Sequence, residues 1–133
     1  MASHTLSNEE KILFNAIRRG NLYRVIASVE GGVSVNCQIS FGGDYPIQLA
    51  CSAQTNTIPI CKYLLKKGAD VNAIGFGHPA LVLASFLGNL RLVKYLISQG
   101  ADINFIDSNG ETALHQAGWG GCSHIYNFLA SWS

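Results

Sequence analysis

The chain has 133 residues, of which 48% are hydrophobic, enough for one folded domain with a real core. Nine Lys and Arg stand against eight Asp and Glu, a formal charge of +1, and the 13% of residues that carry charge are about half the usual share. The basic residues are scattered, with Arg18-Arg19 and Lys66-Lys67 the only adjacent pairs, and no stretch approaches the roughly 20 apolar residues of a membrane span, so neither nucleic acid nor a membrane is an expected partner.

In chain order, "SNEE" at Ser7 to Glu10 predicts a capping-box start to a first helix, "EEKILFNAIRR". Asn21 then opens a second, "NLYRVIASVEGG", which Gly32 ends with positive φ. "PIQLACSA" and "TIPICKYLLKKG" follow, the latter capped by Thr57 and ended by Gly68. The third pair is "PALVLASFL" and "NLRLVKYLISQG", capped by Asn89 and ended by Gly100. Its second member carries Leu92, Val93, Leu96 and Ile97 at i, i+1, i+4 and i+5, one apolar helical stripe. "TALHQAGW" and a last helix beginning near Cys122 complete the chain. Ala16, Ala50, Ala84 and Ala117 recur in the shorter helices, where a small residue lets neighbouring units pack closely.

These helices repeat. "KYLLKKGADVN", Lys62 to Asn72, returns as "KYLISQGADIN", Lys94 to Asn104. The endings "GVSVN" (Gly32 to Asn36), "GADVN" (Gly68 to Asn72) and "GADIN" (Gly100 to Asn104) are 36 and 32 residues apart, bracketing a known repeat length of about 33. One domain of four units is expected, at about 7–36, 37–72, 73–104 and 105–133.

"NGETALHQAGWGG", Asn109 to Gly121, resembles the ankyrin-repeat pattern G-x-T-P-L-H-x-A-A-x-x-G, and "GADVN" and "GADIN" strengthen the match. The resemblance covers the chain from about Glu9 to Trp132 and implies an all-α, helix-turn-helix solenoid with hairpin-like loops between repeats. It implies that Thr112 and His115 hydrogen-bond at the start of a helix, so His115 is structural. The pattern is broken in places. Pro79 and Val82 replace Thr and His in the third unit, whose hairpin loop is one residue short, and Tyr45 and Gln48 replace them in the second. The second unit also has an extra loop residue and two extra residues in "CSAQTNT", which makes 52–57 its least regular part.

Little in the chain suggests catalysis. Cys122 and His124 are two apart, and side chains at i and i+2 diverge by about 200° on a helix, so they do not form a nucleophilic pair. The histidines and cysteines lack the spacing of a zinc site. "GFGHPA", Gly75 to Ala80, has no preceding strand and no Lys-Ser/Thr, and reads as turn punctuation rather than a phosphate loop. Cys37, Cys51, Cys61 and Cys122 show no paired spacing and read as reduced, mostly buried thiols. No enzyme activity, cofactor or metal is expected. An intracellular place, cytoplasmic or nuclear, is expected because "MASHTLSNEEK" lacks the regions of a secretory signal; non-classical export is the alternative.

The resemblance then implies a protein-binding module whose variable positions lie after the Ala of each first helix and at the loop tips. Carried over, the helix positions are Arg18 and Arg19, Ser52 and Ala53, Phe86 and Leu87, Trp119 and Gly120. The tips are Phe41, Ile74, Phe76, Ile106, Ser108 and Asn109. Large aromatics on a rigid exposed face suit binding hot spots, so Phe86 and Trp119 are the expected anchors, with Phe41 and Phe76 on the tips. Arg18 and Arg19 would steer a protein or peptide that is acidic and apolar, and a monomer is expected. Three alternatives stand beside this: self-association through the exposed apolar ends or the groove, motivated by a last helix pair with no following unit, a fragment of a larger ankyrin-repeat protein, and a substrate of an asparaginyl hydroxylase. For the last, Asn72 and Asn104 each lie eight residues after a Leu, Leu64 and Leu96, as the resemblance requires.

Overall fold

The computed structural model describes residues 5–40, 42–119 and 121–131, and leaves the side chains of Leu114 and Trp119 undescribed. Among the described residues the fold is all-α, with eight helices and no β-strand. Contacts gather them into two compact units. One runs to Asp70 and takes in Ile74–Phe76; the other holds Val71–Ala73 and continues from Gly77.

The first unit contains α1 (Asn8–Arg19), α2 (Leu22–Glu30), α3 (Pro46–Cys51) and α4 (Thr57–Lys66). The helix α1 starts where Ser7 Oγ accepts from the Glu10 N–H at 3.2 Å while Glu10 Oε1 accepts from the Ser7 N–H at 2.8 Å. This is the capping box expected from the sequence, and it satisfies two backbone donors that the helix itself cannot. Acidic Glu9 and Glu10 in its first turn and basic Arg18 and Arg19 in its last both complement the helix dipole. Leu13, Phe14, Ala16 and Ile17 form its buried face. Asn21 caps α2 by accepting from the Arg24 N–H at 3.2 Å. Two antiparallel pairs result, α1 with α2 and α3 with α4, and they stack with α1 on α3 and α2 on α4. Ile47, Ile60 and Leu64 join Phe14 and Val25 in the core at no more than 1% exposure, each burial contributing about 1.5–3 kcal/mol.

The cap of α4 departs from expectation. Thr57 is its first helical residue rather than its N-cap, and its hydroxyl donates back to the Ala53 carbonyl at 3.4 Å. The N-cap is Asn56, held at φ +56°, whose amide Nδ2 instead donates to the Gly20 carbonyl at 2.8 Å. The extra residues after α3 are the reason. They carry the chain over the α1–α2 corner, where the Gln54 N–H also donates to the Arg18 carbonyl at 3.0 Å. The insertion thus satisfies carbonyls at the end of α1 that would otherwise need water.

The second unit contains α5 (Ala80–Leu87), α6 (Leu90–Ser98), α7 (Ala113–Trp119) and α8 (Ser123–Ala130). It repeats the same scheme, α5 with α6, α7 with α8, α5 on α7 and α6 on α8. Asn89 caps α6 at 3.0 Å from the Leu92 N–H, as the sequence indicated. Of the expected stripe on α6, Leu92, Val93 and Leu96 are fully buried and Ile97 is half-buried. The recurring alanines Ala16, Ala50, Ala84 and Ala117 are all buried.

Helix starts in the irregular units find substitutes for the missing Thr and His. In α7 His115 Nδ1 accepts from the Thr112 N–H and meets its hydroxyl, both at 3.1 Å, which leaves the ring proton on Nε2 when the imidazole is neutral. In α3 Gln48 Oε1 takes the same role, accepting from the Tyr45 N–H at 2.6 Å. Pro79 at α5 has no N–H to satisfy and is the N-cap without a side-chain bond.

The cysteines are all free, but only Cys51 and Cys61 are buried; Cys37 and Cys122 are half-buried, fewer in the core than the composition suggested. The neighbouring Cys61 thiol and then burial push the Cys51 thiol well above its usual range. Burial, with the nearby Glu10 charge, pushes Cys37 up to about 11. Both are poor thiolates at neutral pH.

Candidate functional site

The loops between helix pairs are long, 31–45, 67–79 and 99–112, and tight turns within them decide what is presented. Between 39 and 44 the Ile39 N–H donates to the Asp44 carbonyl at 2.9 Å, and the Gly43 N–H donates to Ser40 at 3.0 Å. At 75–78 both central residues have positive φ, Phe76 at +51° and Gly77 at +83°, as a type I′ turn demands. A phenylalanine in that conformation is a genuine outlier. The Phe76 N–H donates to the Gly42 carbonyl at 2.6 Å, and its ring lies over Gly43, where an added Cβ would come 3.3 Å from the ring. Phe76 nevertheless remains 66% exposed.

The turn at 107–111 is built around Asp107. Its Oδ1 accepts from the Asn109 N–H at 2.8 Å and the Glu111 N–H at 2.9 Å, while Oδ2 lies 4.0 Å from His78 Nδ1. The Glu111 N–H first, with that of Asn109 and the nearby His78 and His115, holds the Asp107 carboxyl below the usual carboxylate range. This clasp raises Ser108 and Asn109 into solvent, with Ile106 61% exposed beside them.

On the helices, Phe86 and Leu87 end α5, each 52% exposed as a residue, although Ala80, Leu81, Val82, Ala84 and Ser85 of the same helix are buried. Ser85 stays inside by donating its hydroxyl to the Leu81 carbonyl at 2.7 Å. Arg18 and Arg19 are exposed, Arg18 Nη1 donating to Asn15 Oδ1 at 3.4 Å. Ser52 is exposed but turns its hydroxyl back to the Leu49 carbonyl at 3.3 Å, and Ala53 is half-buried. Trp119 ends α7, the helix that packs on α5, with its side chain outside the description. Phe41 and Gly120 lie outside the described residues.

The structure therefore brings Phe86 and Leu87 together on one helix end, Ser108 and Asn109 on one turn, and Phe76 with Ile74 on another. Exposed residues that sequence reasoning passed over are Tyr23, at 88%, Ile12, at 49%, and Tyr126, at 45%. Ile12 had a readable signal: it begins the run Ile12, Asn15, Arg19 at i, i+3 and i+7 on α1, a stripe facing away from the core. Cys122 is the N-cap residue of α8 and His124 in its first turn is exposed. Among the described residues no three His, Cys, Asp or Glu gather into a metal-holding group, and no helix is long and apolar enough to cross a membrane.

Asn72 and Asn104, the residues fitting the hydroxylation spacing, are both exposed, and different bonds hold them. Asn72 Nδ2 donates to the Gly100 carbonyl at 3.1 Å and its Oδ1 accepts from the Asp102 N–H at 2.8 Å, whereas the Asn104 N–H donates to Asp102 Oδ1 at 2.9 Å.

Two family models match the chain: "Ankyrin repeats (3 copies)" over residues 73–132 and "Ankyrin repeat" over residues 42–75. The first helix pair lies ahead of both matches. No curated protein matches the sequence. Helices paired through tight turns and stacked pair on pair, the His115 clasp at a helix start and family matches spanning more than half of the residues agree: the chain belongs to the ankyrin-repeat family.

Proposed function

We propose that this chain is a non-catalytic binding module that recognises another protein through residues projected from helix ends and turns. Ankyrin repeats generally serve as protein–protein interaction modules, and the family is generally non-catalytic. The observation that carries the reading is the exposure of Phe86 and Leu87 at the end of a helix whose other face is buried. Two large apolar side chains held in water on a helix leave no backbone to order when a partner covers them. Trp119, ending the helix packed on α5, is assigned as a second anchor in that unit. In the other unit Phe76 presents an aromatic ring from a constrained turn, flanked in role by Arg18, Arg19 and Ser52; Ser108 and Asn109 supply adaptable polar contacts. The partner is a protein or peptide segment with apolar side chains among acidic ones, and the module acts as a monomer in the cytoplasm or nucleus, a place consistent with four free cysteines.

The test is binding of a partner isolated on the wild-type chain, measured by calorimetry for wild type and for the Phe86→Ala/Leu87→Ala variant. Truncating both should weaken binding by about 2 kcal/mol or more, roughly 30-fold in Kd, with far-UV circular dichroism unchanged. Equal affinities would remove this surface from the binding site.

A further inference from the structure

The first helix pair holds a hollow of about 380 Å³ lined by Ile12, Asn15, Ala16 and Arg19 of α1 with Asn21 and Arg24 at the start of α2. Donors predominate in it. Asn15 Oδ1 accepts from Arg18 at 3.4 Å and Asn21 Oδ1 from the Arg24 N–H at 3.2 Å, and the NH2 group of each lining amide adds two donors. Arg19 and Arg24 add two guanidinium forks, and neither has a carboxylate partner among the described residues. The acids on the same elements lie elsewhere. Glu9 and Glu10 sit in the first turn of α1, nine or more residues from Arg19 and about 13 Å along the axis, beyond a Debye length at physiological salt. Glu30 ends α2, where it is bound to Lys67 at 3.0 Å and Tyr63 at 3.0 Å. Asp44, in the same unit, senses Arg18 rather than the arginines of the hollow.

Arg24 is also placed against its helix. It stands in the first turn of α2, where the dipole favours an anion and where the helix has no acidic residue of its own. A site of donors and cations at a positive helix end is complementary to carboxylates. Ile12, 49% exposed beside Ala16, adds an apolar floor that a simple anion would leave uncovered.

We infer that this hollow binds an acidic peptide segment, with Asp or Glu carboxylates on Arg19 and Arg24 and an aliphatic side chain between them against Ile12. Fork-to-carboxylate pairing gives each arginine a bidentate contact, and the asparagine amides donate to the peptide backbone. The inference rests on the proposed reading of the chain as a protein-binding module and takes Arg19 from it, but it uses neither Phe86 nor Leu87.

The test is amide chemical-shift mapping of the ¹⁵N-labelled full chain with a heptapeptide in which Glu-Glu-Leu-Glu-Asp is flanked by glycines. Saturable shifts are expected at Asn15, Arg19, Asn21 and Arg24, weakened at least about tenfold in Arg19→Gln/Arg24→Gln and weakened by Leu-to-Gly replacement in the peptide. Arg19→Lys/Arg24→Lys should fall between, keeping charge while losing the forks. The Phe86→Ala/Leu87→Ala variant should bind the heptapeptide like wild type, so either surface can fail alone. Shifts spread over all basic residues, an unchanged affinity in the glutamine variant, or equal competition by inorganic phosphate would each overturn the inference. So would shifts at these amides that follow protein concentration alone, which would assign the hollow to a second copy of the chain.

Discussion

Asn36 and Asn72 show what the asparagine does at two of the three endings of the motif. Asn36 Nδ2 donates to the Gly68 carbonyl at 3.1 Å and its Oδ1 accepts from the Asp70 N–H at 3.2 Å; Asn72 does the same to Gly100 and Asp102. One side chain thus pins the following turn by its backbone. Replacing Asn72 by Ala should cost about 1–2 kcal/mol, measurable as a lowered urea midpoint with an unchanged m-value. Asp107 acts on its own turn in the same way and adds a pH dependence. Its carboxyl is held below the usual range in the folded state, so its stabilisation is complete above the unfolded value of about 4 and is lost as pH falls through the lower folded one. Denaturation between neutral pH and about pH 2 should therefore show a loss of stability at the acid end that is shallower in Asp107→Asn.

At the scale of elements, the insertion after α3 is one of the features that bind the two helix pairs of the first unit by more than apolar packing, beside the Glu30 and Asn36 contacts. It depends on Gly20, which has φ +74° and whose absent side chain leaves room for Thr55 against the α1–α2 corner. Gly32 also has positive φ, +108°, but an added Cβ there meets nothing within 4 Å. Gly20→Ala should thus lower stability clearly more than Gly32→Ala, by at least about 1 kcal/mol, because only the former adds a collision to the backbone strain. Equal losses, read from thermal midpoints, would mean that the insertion does not press on that corner. The sequence marked this segment as irregular through its two extra residues. It did not reveal that Asn56 and Gln54 would turn back to the carbonyls of Gly20 and Arg18, since those partners are 36 residues apart in each case and no local pattern encodes them.

For the molecule as a whole, low charge density matters more than any single residue. The net charge of +1 and a sequence pI of about 7.7 leave little self-repulsion near neutral pH, while Phe76, Phe86, Leu87 and Ile106 stand in water. Solubility should pass through a minimum near pH 7.7 and rise on either side, measured by polyethylene glycol precipitation; a flat profile would show that the exposed apolar residues are too dispersed to drive association.

Periodicity, capping residues and the recurring Gly-x-x-x-Asn ending determined the helices, their order and their family, because each is written in side chains only a few residues apart. The same register selected Phe86 and Leu87 as exposed and Ala84 as buried, which the structure bears out. Other assignments needed tertiary contacts. Thr57 looked like a cap until the insertion shifted that role to Asn56, and Cys37 and Cys122 looked like core until the turns left them half-exposed. The hollow of Ile12, Asn15, Arg19, Asn21 and Arg24 joins two helices whose angle and spacing no local sequence states, so scattered arginines became a concentrated donor site only when α1 and α2 were packed together.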